Sequence, residues 1–329
     1  MELRVAMAGL AHGHGTGFLK SLSALPGVKI VGFFDSENPQ AAKQASEEFG
    51  TPVYEDLEQL LRHAGANMML TAAVNDKKSQ YIVQALDAGL HCMADKPLVS
   101  SMEELESIER ALERNKSSKL YLMLTERFNA ALVAAKQIVD RGEIGRITNI
   151  VAIRPHRLNP EARPAWMFDS RRYGGILNDI GIHDLDIARW FTGNEMDRVL
   201  AASTSNHRSC CFTDFNDNGE AMVRMKDGAI AFIYVHWMTP DAYPAHGETR
   251  FIITGTRGQI EVNSPEQTVR YYSDVTPPTD CKPAPLDTTI AMDMARYFTD
   301  SQYRPVLTTQ DAILTQKAIL QIQEAAYGR

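Results

Sequence analysis

Short apolar runs alternate with longer amphipathic stretches through the first third of the chain. Helical patterns occur, for example, at 40–49, 79–88 and 101–115. Between them lie five runs with the length and apolar content of buried strands: LRVAMAGL (3–10), VKIVGFFD (28–35), NMMLTAAV (67–74), HCMADKP (91–97) and KLYLMLT (119–125). Strands that alternate with helices of this length predict an α/β fold with a doubly wound parallel sheet.

The pattern changes near residue 125, where a helix at 130–140 is followed by RITNIVAIRP (146–155), an irregular loop and an apolar helical segment. Longer alternating runs come next. Residues 220–237 predict a hairpin that turns at Asp227-Gly228, and residues 250–264 predict a second that turns near Arg257-Gly258. A last helix is predicted at 309–327. We therefore expect one α/β domain over 1–124 and an α+β domain with a mostly antiparallel open sheet over 125–329.

Composition and charge restrict the class of partner. The 329 residues include 44% hydrophobic and 23% charged residues, with a net charge of −7 and no basic cluster. Nucleic acid and anionic membranes are therefore not expected as partners, and no apolar run approaches the ~20 residues of a membrane helix. The N-terminal segment lacks the plan of a signal peptide, and the four cysteines (92, 210, 211 and 281) form no C-x-x-C pair. We expect a cytoplasmic protein with reduced thiols.

A glycine-rich loop, GLAHGHGTG (9–17), joins the first strand to a helix. In such a unit, small residues let the backbone approach a pyrophosphate, and the helix N-terminus supplies amide donors and a favourable dipole. The literal G-x-G-x-x-G is absent, because Ala11 replaces the second glycine and His14 replaces the third. An ordinary glycine-rich turn is the alternative interpretation.

Asp35 strengthens the dinucleotide interpretation because it ends the second strand, where a carboxylate can accept hydrogen bonds from an adenosine ribose. The following residues, Ser36-Glu37-Asn38, include no cation that would receive a 2′-phosphate. The sequence therefore predicts NAD rather than NADP as the cofactor.

The segment GGILNDIGIHDLD (174–186) carries three aspartates and a histidine among apolar residues. At roughly 100° per residue, Asp179, His183 and Asp186 lie on one stripe of a helix. Burial of unpaired charge is costly, so these side chains must face each other, a metal ion or a bound small molecule.

Four motifs together resemble the glucose–fructose oxidoreductase/inositol dehydrogenase/MocA family of two-domain, nicotinamide-dependent enzymes. Asp95-Lys96-Pro97 is similar to the family's Glu-Lys-Pro signature, with Asp in place of Glu, and residues 174–186 are similar to its Gly-Gly…Asp-x-x-x-His segment. RGEIGRI (141–147) and GTRGQIEV (255–262) also match. The resemblance covers nearly the whole chain. It implies an N-terminal Rossmann domain that binds NAD and a C-terminal domain for substrate binding and oligomerisation.

The resemblance also implies roles for single residues. Lys96 would lie beside the nicotinamide and the substrate, with Asp179 and His183 facing it across the domain cleft. An imidazole suits proton transfer at neutral pH, so we assign His183 as general base, Asp179 as the group that orients His183 or the substrate, and Lys96 as the donor that stabilises alkoxide charge. Asp186 is expected to anchor structure. The candidate cofactor-binding residues are Gly9, Ala11, His12, Gly13, His14, Asp35, Ser36, Asn75, Asp95 and Lys96.

The substrate side is predicted from the loop at 154–173, where aromatic and Arg side chains suit a sugar or cyclitol, or an acidic derivative of one. The candidate substrate-binding residues are Lys96, Arg157, Trp166, Tyr173, Asp179 and His183. The chain departs from the family's Thr-Pro-Asn-x-x-His pattern, since 73–78 read AVNDKK and only Asn75 fits. The Asp of Asp95-Lys96-Pro97 is also one methylene shorter than Glu.

No metal is predicted. His12 and His14 have no third ligand nearby in the sequence, and the stripe at 179–186 is expected to face a cofactor and an alcohol, so activity should survive chelation. The leading hypothesis is an NAD-dependent dehydrogenase of a sugar or polyol that forms a homodimer or homotetramer. Two alternatives stay open: an enzyme that oxidises its substrate transiently before elimination, epimerisation or glycoside cleavage, and a non-catalytic cofactor-binding regulator.

Exchange of Asp35 for Ser together with Ser36 for Arg should weaken NAD binding and improve NADP binding. In the wild type, a 2′-phosphate would meet a like charge and lose a charge-assisted hydrogen bond, a difference of roughly a hundredfold in preference. The measurement is kcat/KM for both cofactors. A wild type that prefers NADP, or a double variant with unchanged selectivity, would contradict this role of Asp35.

Overall fold

The computed structural model describes residues 2–328, which form two compact units. Unit 1 contains the residues up to 123 together with 171–174 and 288–316, and unit 2 contains 124–170, 175–287 and the residues from 317 onward. The predicted boundary lies at 124/125, and the first change of unit lies between residues 123 and 124. Residues 171–174 and 288–316 of unit 1 fall within the predicted second domain. Hydrophobic patterning is a local property, so it does not show that the chain returns to the first unit in these segments.

Unit 1 is built on a parallel sheet in the order β2-β1-β3-β4-β5. All five predicted strands are confirmed: β1 (Leu3–Leu10), β2 (Val28–Phe34), β3 (Met68–Ala72), β4 (His91–Ala94) and β5 (Leu120–Leu122). In this doubly wound order the direction of winding reverses between β1 and β3. Ligands bind such sheets at the carboxyl ends of the strands.

The helices of unit 1 are α1 (Gly13–Ser23), α2 (Pro39–Phe49), α3 (Leu57–His63), α4 (Asn75–Asp87), α5 (Met102–Arg114) and α9 (Ile290–Thr299). Among them, α1 to α4 pack on the sheet, α5 packs on α4, and α9 packs on α1. Ser101 and Glu104 form a capping box at the start of α5. The sequence pattern did not predict α3 or α9, and α4 begins four residues before the predicted helix at 79–88.

Unit 2 contains an open sheet in the order β13-β12-β11-β10-β6-β9-β8-β7, in which only β6 and β9 pair in parallel. Both predicted hairpins are confirmed, one formed by β8 with β9 and one by β10 with β11. The strands are β6 (Ile147–Pro155), β7 (Met196–Ser205), β8 (Asn218–Met225), β9 (Ile230–His236), β10 (Arg250–Gly255), β11 (Gly258–Asn263), β12 (Thr268–Ser273) and β13 (Thr279–Cys281).

One face of this sheet is covered and the other is open. The covered face packs against α6 (Ala130–Asp140), a π-helical turn (Leu177–Gly181) and α8 (Ile182–Thr192). On the open face, side chains about 37% exposed include Phe232, Tyr234 and Ile252. Two further helices, α7 (Ser170–Tyr173) and α10 (Thr309–Ala326), include residues of both units. Between residues 2 and 328, none of the helices has both the length and the apolar character needed to cross a membrane.

Candidate active site

The loop after β1 lies very close to β3. Gly9 has a φ of +81°, and a Cβ on it would lie 2.4 Å from the Cβ of Ala73. A Cβ on Gly15 would lie 2.4 Å from the Cβ of Ala72. Only glycine fits either position. The close helix–strand packing expected of the motif's third glycine is therefore provided by Gly15 and not at the predicted position, His14.

The first turn of α1 is suited to an anion. The amides of Ala11 and His12 donate to the carbonyl of Ala72 at 2.9 and 3.2 Å, which fixes the loop against β3. No acidic residue occurs in the first turn of α1. Amides of a first helical turn have no acceptor within the helix, so those of Gly13 and His14 form a ready site for a pyrophosphate.

Asp35 is only 6% exposed, and backbone amides surround its carboxylate. Oδ2 accepts from the amide of Leu10 at 2.7 Å, and Oδ1 accepts from Glu37 and Asn38 at 2.9 and 3.0 Å. A carboxylate has about four acceptor positions, so one remains for a ribose hydroxyl. Because Asp35→Ser would also remove these backbone bonds, Ser36→Arg alone is the matched control for the cofactor-switch variant. The Ser36 hydroxyl itself lies 3.0 Å from the Tyr81 hydroxyl.

Asn75 and Tyr173 support each other within unit 1. The Asn75 amide is fully buried and donates to the Tyr173 carbonyl at 2.8 Å. Next to them, Arg172 lies 2.7 Å from Glu37 and 3.5 Å from Asp76. Tyr173 is 2% exposed, so this predicted substrate-binding side chain is buried.

The turn that carries Lys96 is fixed from two sides. Asp95 is fully buried, and its Oδ1 accepts from the Lys96 amide at 2.8 Å. The ammonium group of Lys78, also fully buried, donates to the carbonyls of Asp95 and Pro97 at 3.0 and 2.6 Å. Burial alone would raise the pKa of Asp95, but His14, His12 and Lys78 hold it well below its usual range. Asp95 is therefore an anion at neutral pH.

Sequence reasoning noted Lys78 only as a departure from the family pattern and missed its role. The signal was present in the spacing. Buried residues of α4 include Lys78, Tyr81, Ile82, Ala85 and Leu86, which is the apolar stripe of an amphipathic helix. A lysine on such a stripe must find acceptors inside the protein, and the two carbonyls that flank Lys96 are those acceptors.

In unit 2, the segment around Asp179 begins with a tightly packed glycine and a π-helical turn. The Gln323 side chain accepts from the amides of Leu177 and Asn178 at 3.0 and 3.2 Å. A Cβ on Gly175, whose φ is +92°, would lie 2.4 Å from Gln323 Oε1. π-Helical turns occur frequently at functional sites. The predicted helix is confirmed from residue 182 onward, but the uniform 100° spacing does not hold across 177–181.

Asp179 and His183 are buried, with 2% and 9% of their surface exposed. The other two aspartates of this segment, Asp184 and Asp186, form ion pairs with arginines. Asp186 accepts from Arg127 at 2.7 and 2.9 Å, which gives it the expected structural role. Asp184 lies 2.9 Å from the buried Arg154.

Burial alone shifts the pKa values of Arg154 and Asp184 in opposite directions. Desolvation raises the pKa of Asp184 to about 6, against the lowering effect of Arg154. Desolvation would lower the pKa of Arg154, but the carboxylates of Asp184 and Glu126 raise it above its usual range. These pairs hold the start of α8 in place.

The remaining substrate candidates lie in the loop after β6. Arg157 donates to the carbonyls of Pro240, Tyr243 and Ala245, so its guanidinium organises a neighbouring loop. Trp166 is 8% exposed and lies in a 3-10 turn (Ala165–Phe168). These contacts give no sign of a substrate site, and the substrate-binding roles of Arg157 and Trp166 remain predictions from the sequence.

Comparison with protein families decides the identity of the fold. A model of an oxidoreductase family with an NAD-binding Rossmann fold matches residues 3–122, and a model of the GFO/IDH/MocA C-terminal domain matches residues 132–261. The chain belongs to the GFO/IDH/MocA oxidoreductase family. This oxidoreductase is an enzyme that acts on CH–OH groups with NAD as cofactor.

Individual relatives agree with this assignment. This oxidoreductase is 24% identical over 250 residues to inositol 2-dehydrogenase 2 of Saccharopolyspora erythraea, which covers 76% of this chain and 70% of the relative. It is 27% identical over 272 residues to scyllo-inositol 2-dehydrogenase (NAD(+)) of Bacillus subtilis, which covers 80% and 74%. Levoglucosan dehydrogenase, solved in complex with NADH and levoglucosan, has the same fold with a TM-score of 0.83, at 19% identity over 100% of this chain and 98% of that chain.

The residues of unit 1 fit the cofactor. Gly9 lets the phosphate loop pack against Ala73, the start of α1 is free of acidic side chains, and Asp35 retains one acceptor position at the end of β2. These three features lie at the carboxyl edge of one sheet, which is the side on which doubly wound folds bind dinucleotides.

Replacement of Lys78 by Met should lower the free energy of unfolding by about 1–3 kcal/mol, because two buried carbonyls lose their donor. Lys77→Met is the matched control, since the neighbouring lysine is partly exposed. Urea denaturation followed by circular dichroism measures both variants. Equal stability of the two variants would show that Lys78 does not hold the turn around Lys96.

Proposed function

We propose that this oxidoreductase is a dehydrogenase that transfers hydride between NAD and a secondary alcohol of a cyclitol, sugar or sugar derivative. The observation that supports it is the position of Lys96. It is the second residue after β4, at the same carboxyl edge of the sheet as Gly9, Asp35 and Asn75. Two relatives named as inositol dehydrogenases, each covering about three quarters of this chain, point to the same substrate class.

The proposed chemistry assigns one task to each of three residues. The ammonium of Lys96 donates to the reacting oxygen and stabilises negative charge as it develops there. The imidazole of His183 takes the hydroxyl proton, and Asp179 orients the imidazole or the substrate. When bound, NAD accepts the hydride, so a secondary alcohol and NAD⁺ yield a ketone, NADH and a proton.

The test is a screen of cyclitols, aldoses and uronates with NAD in which the absorbance of reduced nicotinamide is followed. We expect stoichiometric NADH formation with at least one member of the panel. Lys96→Ala should then lower turnover by about a hundredfold or more while NAD affinity changes little. Lys116→Ala, at an exposed position of the same unit, is the control.

Two results would contradict the proposal. Substrate conversion without net NADH would indicate a transient oxidation followed by elimination, epimerisation or glycoside cleavage. Full activity of the Lys96→Ala variant would remove this lysine from the reaction.

We also propose that the open face of the unit 2 sheet packs against a second copy of the chain. The strand register places Met222, Phe232, Val151 and Ile252 in one row across β8, β9, β6 and β10. Phe232 and Ile252 are each 37% exposed. When one face of an antiparallel sheet packs on the core, the other face is normally polar. An apolar row on that other face therefore indicates an interaction surface.

Light scattering at micromolar concentration should therefore report a dimer or a tetramer. Phe232→Glu would place a charge in the middle of the row and should shift the protein to monomer, whereas Lys226→Glu in the adjoining hairpin turn should not. A wild-type protein that is monomeric under these conditions would refute the assembly.

A further inference from the structure

His12, His14 and Asp95 lie together at the carboxyl edge of the unit 1 sheet. Each offers one ligand atom, and these atoms all lie within 4.8 Å of one another. The two histidines come from the loop and first turn after β1, and Asp95 directly follows β4. Sequence reasoning set aside the two histidines as metal ligands because no third ligand was nearby. The fold supplies that third ligand from more than eighty residues away in the sequence.

The carboxylate of Asp95 has one oxygen directed at this cluster. Its Oδ1 accepts from the Lys96 amide. Its Oδ2 is buried, accepts no hydrogen bond among residues 2–328, and lies 3.4 Å from His14 Nδ1. That separation is longer than an ordinary N–H···O hydrogen bond. It is the distance expected between two ligands bonded at about 2.0–2.1 Å to one tetrahedral zinc ion, roughly 3.4 Å.

The imidazole rings of His12 and His14 are nearly parallel to each other. They are inclined by only 9°, with centroids 5.8 Å apart. His14 is 59% exposed, so its ring can turn to improve the geometry, whereas Asp95 is held in place. Two imidazoles and one carboxylate are a donor set that Zn²⁺ and its neighbours in the first transition row accept, and three protein ligands leave one position open.

We propose that His12, His14 and Asp95 bind one divalent transition metal ion of the Zn²⁺ class, and that this ion and NAD exclude each other. The exclusion follows from position. His14 is the second residue of α1, whose first-turn amides form the anion site for the cofactor's pyrophosphate. The ion is therefore inhibitory and not a participant in hydride transfer.

The binding test uses the full chain free of cofactor and of any affinity tag that contains histidine. Isothermal titration with ZnCl₂ should report one ion per chain, and MgCl₂, a cation that prefers oxygen ligands, should give no binding. His14→Gln should weaken zinc binding by tenfold or more, whereas His63→Gln, at an exposed position of α3, should not. Asp95→Asn provides a second variant if it folds. Absence of stoichiometric zinc binding, or unchanged affinity in His14→Gln, would overturn the proposal.

The competition test measures NAD affinity by quenching of intrinsic fluorescence at several zinc concentrations. The apparent Kd for NAD should rise linearly with zinc, by tenfold when zinc is at nine times its own Kd, and His14→Gln should show a rise of about twofold or less over the same range. Zinc that binds without any change in NAD affinity would overturn the exclusion. Neither measurement requires a substrate, so failure here leaves the proposed dehydrogenase activity untouched.

Discussion

The neutralisation of buried charge is the constraint on which the helix carrying His183 depends. Arg154 on β6 and Asp184 on α8 are nearly inaccessible to solvent and lie 2.9 Å apart. Loss of either partner would leave an uncompensated charge inside the protein, at a cost of about 3–5 kcal/mol. Arg127 and Asp186 form a second such pair two residues further along α8. Because these two aspartates point in different directions from the helix axis, the pairs together fix the rotation of α8 and the side on which His183 lies.

In unit 1, the main constraint is the lack of space between the end of β3 and the loop and helix that follow β1. Ala72 and Ala73 contact the loop after β1 so closely that Gly9 and Gly15 cannot carry side chains. A few residues later, Lys78 holds the turn that carries Lys96. One short segment thus positions both the phosphate loop and the proposed catalytic lysine. Substitutions in this segment are therefore expected to affect both the phosphate loop and the turn that carries Lys96.

The sequence pattern predicted those strands and helices that have a clear hydrophobic pattern within a few consecutive residues. The strands of unit 1 are nearly continuous apolar runs, as expected of a sheet covered on both faces. The strand β7, in contrast, is exposed at many positions, and the short β13 has no buried residue, so neither gives an apolar signal. The candidate site divides in the same way. Asp35 and Lys96 were found from motifs, whereas the partners of Asp95 and Lys78 are long-range contacts that no spacing rule contains.

The support that Gln323 gives to the π-helical turn has a consequence for how the protein is made. Leu177 and its acceptor are 146 residues apart, and the side chain of Gln316 accepts from the amide of Leu98 across 218 residues. During translation, the first strands of each unit are synthesised long before Gln316 and Gln323. The segment after Lys96 is not complete until Gln316 has been synthesised, and the turn beside Asp179 is not complete until Gln323 has been synthesised. Both therefore acquire their final form late, and nascent chains interrupted before that point would expose apolar surface to chaperones and proteases.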